Sequence, residues 1–324
     1  MQNQNNKLGA FIVPTGIGAS IGGYAGDASY WAREFSKYSN LIVNPNVVNA
    51  GGFSGINDRM LYVEGYSLDE FFKGKLRLIP VNTKNKIGVI FDKSIPQGIL
   101  NVHINTINAV KTIYGCEIIG YDITDEEVGV EFCVDKTDIS TGTVGNITTV
   151  LESGKRLISK GAEALAIVCR FKEDDFDNYA NGIGVDPVGG VEAIISHYIS
   201  RELKIPCAHS PAFDDITISQ EVVDPRCSSE YITPTYLPCI LLGLSQAPKL
   251  NFNSEGLSIN DLKFLVMPYN ALGSIPVFEG LKKDIPVYGI KENSTVLNVT
   301  SNNINDKIKV IETYQQALDV IKRI

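Results

Sequence analysis

The sequence predicts an α/β fold: a mainly parallel sheet flanked by helices, with an antiparallel hairpin added to it. Two largely apolar runs, 86–91 and 164–171, read as buried strands, the first with the pattern of a parallel strand covered on both faces. Segments of helical period at 28–38, 99–114, 145–160 and 188–203 separate the strand-like runs, and this alternation builds parallel sheets. With 324 residues the chain is long enough for one large α/β body or two of ordinary size. A single body over 1–324 is expected. It divides into an N-terminal lobe (1–160) with a glycine-rich loop and a C-terminal lobe (161–324) with a Cys/His segment, two similar halves around a cleft.

Taken in order, the strand over 8–13 ends at Pro14, which fixes its own φ and lacks an N–H for the ladder. A glycine-rich loop follows to Asp27, then a helix over 28–38 with Trp31 and Phe35 four apart. Leu41-Ile42-Val43 runs into Asn44-Pro45-Asn46, with Asn49 close behind. A strand-like run over 61–66 holds Glu64 in an apolar context, and a short helix over 67–73 has Ser67 as cap and Glu70 at the capping-box position. The helix over 99–114 contains His103 and stops at Gly115, a C′ glycine. Alternation over 117–134, with an acidic turn at 122–127, predicts the hairpin. The acidic run 172–179 is expected to be a solvated loop, the helix over 188–203 carries His197, and the polar stretch 214–229 has the composition of a lid. Strands over 262–266 and 285–290 flank a helix reaching Lys283, and 307–323 reads as an amphipathic helix. The strand, proline, small-residue loop and helix at the N-terminus are echoed from Leu262 onward.

A hydrophobic share of 44% with 20% charge is that of a soluble globular chain, and no run approaches a membrane span. The first residues are polar, with neither an apolar core nor an Arg-rich leader, so an intracellular soluble protein is expected, cytoplasmic or, if organelle-encoded, of the plastid stroma. A net charge of −8 argues against nucleic acid and anionic membrane as main partners. None of the six cysteines forms a C-x-x-C pair, so they read as reduced thiols rather than a disulfide framework or a structural zinc site. No metal and no cofactor is required by these residues, and the sequence leaves homo-oligomerisation open.

The chemistry-bearing stretch is Lys204 to Asp215, where Cys207 and His209 lie between two prolines. In an extended segment the two side chains share one side, where they can form an ion pair, a metal half-site or a nucleophile with its base. The plain alternative is a Cys packed as a small hydrophobe and a His satisfied by backbone. Cys239 is a second proline-preceded cysteine, and Cys207, His209 and Cys239 are the catalytic candidates. His209 is expected to depress the Cys207 thiol pKa, whereas Cys116, Cys133 and Cys169 are expected to be buried.

Strand, glycine-rich loop and helix offer backbone N–H groups to an anion, which makes Thr15, Gly16, Gly18, Ser20, Gly22, Gly23 and Asp27 ligand-binding candidates. The spacing is neither the dinucleotide fingerprint nor a P-loop, and a glycine-rich loop also serves as a tight connector. Asn46 and Asn49 would line the carboxyl edge of a parallel sheet, where ligands bind, although Asx turns use the same residues. Glu64, Asp186, Glu292 and Asn293 complete the candidate set.

Several strings resemble one family. They are Val13-Pro14-Thr15-Gly16-Ile17-Gly18-Ala19, Ile21-Gly22-Gly23-Tyr24-Ala25-Gly26-Asp27-Ala28, Tyr62-Val63-Glu64-Gly65-Tyr66, Pro206-Cys207-Ala208-His209, Leu237-Pro238-Cys239 and Glu292-Asn293-Ser294-Thr295. The family is domain-of-unknown-function family 3326 (DUF3326), uncharacterised proteins of cyanobacteria and plastids. The matches run from Leu8 to the C-terminal helix. Where the family's stretch begins with His this chain has Asn44, which counts against a metal there. The resemblance implies localisation and coherence of the motifs, not an activity.

Together these residues predict an enzyme acting on a small anionic metabolite, of isomerase, lyase or hydrolase type, through a Cys/His pocket and the glycine-rich loop. One alternative is a phosphate- or nucleotide-dependent transferase or hydrolase with Asp186 or Glu292 as base, and another is a non-catalytic small-ligand sensor. In each case the loops at Pro14, Asn44, Cys207 and Pro268 are expected to converge on one edge.

Overall fold

The computed structural model describes residues 7–172 and 178–324. Its N-terminal part is β1 (Leu8–Phe11), α1 (Ser29–Ser36), β2 (Asn40–Val43), α2 (Pro45–Val48), the short pair β3 (Asn49–Ala50) and β4 (Phe53–Ser54), β5 (Met60–Tyr62), α3 (Gly65–Phe72) and β6 (Arg77–Ile79). The middle comprises β7 (Ile87–Phe91), α4 (Gln97–Tyr114), β8 (Ile118–Ile123), β9 (Val130–Val134), β10 (Ser140–Val144), α5 (Ile147–Ser159), β11 (Ala164–Phe171), α6 (Gly189–Leu203), β12 (Cys207–Phe213), α7 (Ser228–Tyr231) and α8 (Leu237–Ser245). Then come β13 (Lys249–Asn251), β14 (Leu262–Pro268), α9 (Ile275–Lys282), β15 (Val287–Ile290), α10 (Ser301–Ile304), β16 (Lys309–Ile311) and α11 (Tyr314–Ile321).

The fold is α/β, as the sequence predicts, with two parallel sheets. One has six strands in the order β16-β15-β14-β1-β2-β5, the other four in the order β12-β11-β7-β8. The lobe boundary at residue 160 does not coincide with them. The six-stranded sheet takes strands from both ends of the chain, and the other sheet takes the strands between. The reason lies in β1. All four of its residues are buried, and it pairs in parallel with β2 on one side and β14 on the other.

Alternation along the strands divides the core. Ile87, Val89 and Phe91 of β7 join Phe11, Val43 and Leu241 in a core that spans both sheets and α8. Ala10, Ile42 and Leu265 face a second core with Phe71 of α3 and Val277 of α9. Ile90, Leu165 and Ile167 pack against α5 and α6 through Leu157, Val191 and Ile195.

Three local expectations are corrected. The segment 117–134 is not one hairpin: β8 runs parallel to β7, and β9 pairs with β10 in antiparallel register. β8 is a sheet edge with alternating burial, so its pattern cannot be told from that of a hairpin strand. The short helix begins at Gly65, not Ser67, and Glu64 caps it by accepting from the amides of Tyr66 and Ser67. The C-terminal helix over 307–323 is a strand followed by a shorter helix, with Thr313 accepting from the Gln316 amide as cap. The acidic run 172–179 lies largely outside the described residues.

Gly9 sits on the β1–β14 seam, paired with Phe264, and a Cβ there would meet the Phe264 ring at 2.0 Å. Gly9→Ala is expected to cost about 1–3 kcal/mol by overpacking, read as a lower denaturant midpoint at unchanged slope. Gly98→Ala in α4, where a Cβ meets nothing within 4 Å, is expected to stabilise by about 0.4–1 kcal/mol. Equal midpoints for the two variants would contradict this packing.

Candidate functional site

The ends of β1, β2, β5, β12 and β14, with α6 and the 230–240 segment, border a cavity of about 840 Å³, within the usual size of a small-molecule site. β1 and β14, where strand order reverses, deliver Pro14 and Met267 to its wall. Such a switch point is where ligands bind in open α/β sheets. β2 leads to Asn44 and to Asn46 of α2, β5 leads to Glu64, and β12 contributes His209, Pro211 and Phe213. Of the four loops expected at one edge, those after Val13, Val43 and Met267 reach the cavity. The fourth arrives by its far end, because Cys207 opens β12 and is absent from the wall.

Glu192, in the first turn of α6, faces His209 at the cavity. The His209 ring is buried, stacked on Phe171 at 5.2 Å between centroids, and fixed at both nitrogens. Nε2 accepts from the backbone amide of Cys169 at 3.3 Å, and Nδ1 lies 3.0 Å from Glu192 Oε1. An amide N–H has a proton to give and none to take, so Nε2 must carry the lone pair. Nδ1 therefore carries the hydrogen and donates it to Glu192. Burial drives the His209 pKa down to about 3, which agrees with a ring held neutral by that amide. Burial pushes the Glu192 carboxyl up to about 8. His209 thus positions a carboxyl, rather than itself titrating near neutrality.

The remaining acids are also shifted toward neutrality. Asp186 lines the cavity, caps α6 through the amides of Val188 and Gly189 at 3.0 and 3.3 Å, and is pushed up to about 7 by burial and by Glu192. Glu64 is pushed up to about 7 by burial, against the lowering effect of its bonds to Ser67 and Tyr66. His197 Nε2 lies 3.9 Å from Glu64 Oε2, beyond hydrogen-bond range, and burial lowers its pKa to about 4. Glu230, which accepts from Tyr179 Oη at 3.2 Å, is raised well above the usual carboxylate range by burial and by Asp186.

The glycine-rich loop is closed on the protein's own acceptors. Gly22 and Tyr24 donate their amides to Asp27 Oδ1 at 2.8 and 3.4 Å, and burial lifts the Asp27 pKa to about 7. Ile21 donates to Asn293 Oδ1 at 3.1 Å, while Ser20 bonds the Glu292 carbonyl and Ser294. Asn293 is buried and also binds Tyr314 Oη, and Glu292 accepts from the Tyr314 amide, so these two residues splint the loop to α11. Gly16 and Gly18 have positive φ and pack beside Ser140 and Val296. Only Pro14, Thr15, Gly23, Tyr24 and Ala25 of the loop reach the cavity. Asn46 donates to the carbonyls of Val13 and Pro14, and Asn49 accepts from Tyr62 Oη; both line the wall from these fixed positions.

Among the described residues, no group of three or more His, Cys, Asp and Glu is arranged to hold a metal ion. No helix among them is long and apolar enough to cross a membrane.

Comparison with known proteins gives the family. The model of the family described as protein of unknown function (DUF3326) matches residues 9–324. The chain belongs to DUF3326. An uncharacterised lipoprotein of Synechococcus sp. (strain ATCC 27144 / PCC 6301 / SAUG 1402/1) is 33% identical to this DUF3326 chain over 316 residues, covering 95% of the chain and 88% of that protein. No solved structure matches.

In this DUF3326 protein Cys207 and His209 do point to one side of β12, toward α6, but they do not pair. Residues two apart in a strand are about 6.6 Å apart along it, too far for a direct thiol–imidazole bond. Cys207 Sγ donates instead to the Ile205 carbonyl at 3.4 Å, and burial raises its pKa far above the free thiol range. Cys239 lies on the wall in the first turn of α8, donates to the Tyr236 carbonyl at 3.1 Å, and is pushed up to about 12 by burial. Burial works against the expected thiol activation at both residues, and Cys133 is exposed rather than buried. The group sequence reasoning missed is Glu192. Its signal was a carboxylate adjoining the buried Val191, Ile195 and Ile199 positions of a helix opened by Gly189-Gly190. Iodoacetamide at neutral pH is expected to label Cys133 fast and Cys207 and Cys169 slowly, by at least about tenfold. Mass-spectrometric mapping that finds Cys207 as reactive as Cys133 would restore the thiol.

Proposed function

We propose that this protein is an enzyme of general acid–base type, of isomerase, lyase or hydrolase class, acting on a small molecule in the cavity. Glu192 is the proton-transferring group and His209 its positioning residue. The observation behind this is the fixed tautomer of His209, which aims an N–H at a carboxyl that itself lines the cavity.

With its pKa raised by burial to about 8, the Glu192 carboxyl is shifted toward its protonated form near neutrality. Such a group gives or takes a proton near neutrality at small cost, the condition for efficient general acid–base catalysis. As the carboxylate forms, its bond from His209 Nδ1–H becomes charge-assisted and strengthens. The support therefore grows with the charge developed in the transition state. Burial keeps the Cys239 thiol toward its protonated form and Cys207 is off the wall, so the proton transfer is assigned to Glu192 rather than to a thiol.

Turnover can be followed without first identifying the substrate. A metabolite extract incubated with the protein is expected to show one species depleted and another accumulating, and Glu192→Gln is expected to slow both about 100-fold or more. His209→Asn keeps a donor near the Nδ1 position and is expected to retain more turnover than His209→Phe, with the alkaline limb of the pH profile moved upward in the Phe variant. Equal conversion by wild type and Glu192→Gln would remove Glu192 from the chemistry.

A further inference from the structure

The balance of charge around the cavity goes beyond the proton-transfer reading and names the class of ligand; it rests on that reading for the identity of the site. Among the described residues, six carboxyl side chains line the wall: Glu64, Asp69, Asp186, Glu192, Asp215 and Glu230. Two histidines join them, and no lysine or arginine among the described residues does. His209 is held neutral by the Cys169 amide, and the pKa of His197, whose side chain is 43% exposed, is lowered from its ordinary value by what burial it has. The other titratable groups on the wall are Cys239 and the phenols of Tyr24, Tyr179, Tyr231 and Tyr236, uncharged near neutral pH.

Three sets of backbone donors at or beside the wall that could serve in place of a cation are occupied. The first turn of α3 is capped by Glu64, that of α6 by Asp186, and the glycine-rich loop amides of Gly22 and Tyr24 by Asp27. Each of these anion-binding places already holds one of the protein's own carboxyls. Five aromatic rings also stand on the wall, Phe213 and the four tyrosines, and the Arg226 guanidinium lies 4.7 Å over the Tyr24 ring. Aromatic rings and carboxyls around one cavity are the surroundings that stabilise an organic cation, through charge and through cation–π contact.

We propose that the cavity binds a small organic cation, an amine or ammonium compound, with the carboxyls as its counter-charge and the aromatic wall around its body. The anionic metabolite expected from the glycine-rich loop would meet no positive side chain among these wall residues. A bound ammonium supplies the positive charge that the buried carboxyls lack, so binding displaces protons from them and weakens as the pH falls.

The experiment compares three probes of one shape, benzylamine, benzyl alcohol and benzoate, titrated into the full chain by ligand-observed NMR at about 0.15 M salt, where long-range surface attraction is screened. Benzylamine is expected to bind at least about tenfold more tightly than either analogue at pH 8.5, with the preference narrowing toward pH 6. Glu230→Gln is expected to weaken benzylamine and leave benzyl alcohol unchanged, and the second result also reports that the variant is folded. Benzoate binding as tightly as benzylamine, no binding by any probe, or a benzylamine affinity untouched by Glu230→Gln would each overturn the proposal. Loss of conversion in Glu192→Gln without any amine preference removes the ligand class alone. An amine preference with undiminished conversion in Glu192→Gln removes the acid–base reading alone.

Discussion

The parallel pairing of β1 with β14 is the contact on which the rest of the molecule depends. It joins the two ends of the chain in one sheet and makes the reversal of strand order between them. It also sets Pro14 and Met267 at the same end of neighbouring strands, where the wall of the cavity begins. The seam leaves no room to spare. Gly9 is present because the Phe264 ring occupies the space a side chain would need. The segment that spans these ends supplies its own four-stranded sheet, and β12 at the edge of that sheet carries His209 to the cavity wall.

Electrostatics then follow from how the chain satisfies its own backbone. Asp27, Glu64 and Asp186 each turn a carboxyl onto a set of amides that would otherwise suit an external anion. Burial raises all three toward neutrality, against the pull of Arg226 in the case of Asp27, and raises Glu192 further. For such a carboxyl the folded pKa exceeds the unfolded one, so the protonated form favours the folded state. Stability from these groups is complete below about pH 4 and falls as the pH rises through about 7 to 8. His209 works in the opposite sense. Its folded pKa of about 3 lies below the unfolded value, so its contribution is present above about pH 6.5 and is lost as the pH falls toward 3.

The strands of the core were legible because 87–91 is apolar without interruption and 164–171 is broken only by Arg170, the pattern of strands covered on both faces. The pairing partners were not. β8 alternates because it is a sheet edge, and alternation also describes a hairpin. The Cys207-Ala208-His209 spacing gave the shared side of β12 correctly. It could not give the partners, because these come from α6 and from the backbone of β11. Thr15, Gly23, Asn46, Asn49, Glu64, Asp186, His209 and Cys239 do stand on the cavity wall, whereas Glu292 and Asn293 brace the loop behind it. Glu192 carried no sequence motif. A single acid beside a helix's apolar face becomes a candidate only when the opposing ring is known.

The central claim is the protonation state of the His209 ring, since it decides whether Glu192 or the imidazole handles the proton. Long-range proton–nitrogen NMR correlation of the histidine rings between about pH 5 and 8 reads it directly. The expected result for His209 is one neutral form, protonated at Nδ1 and unchanged across the range. A ring protonated at Nε2, or one that becomes imidazolium near the ordinary value of about 6.5, would contradict it.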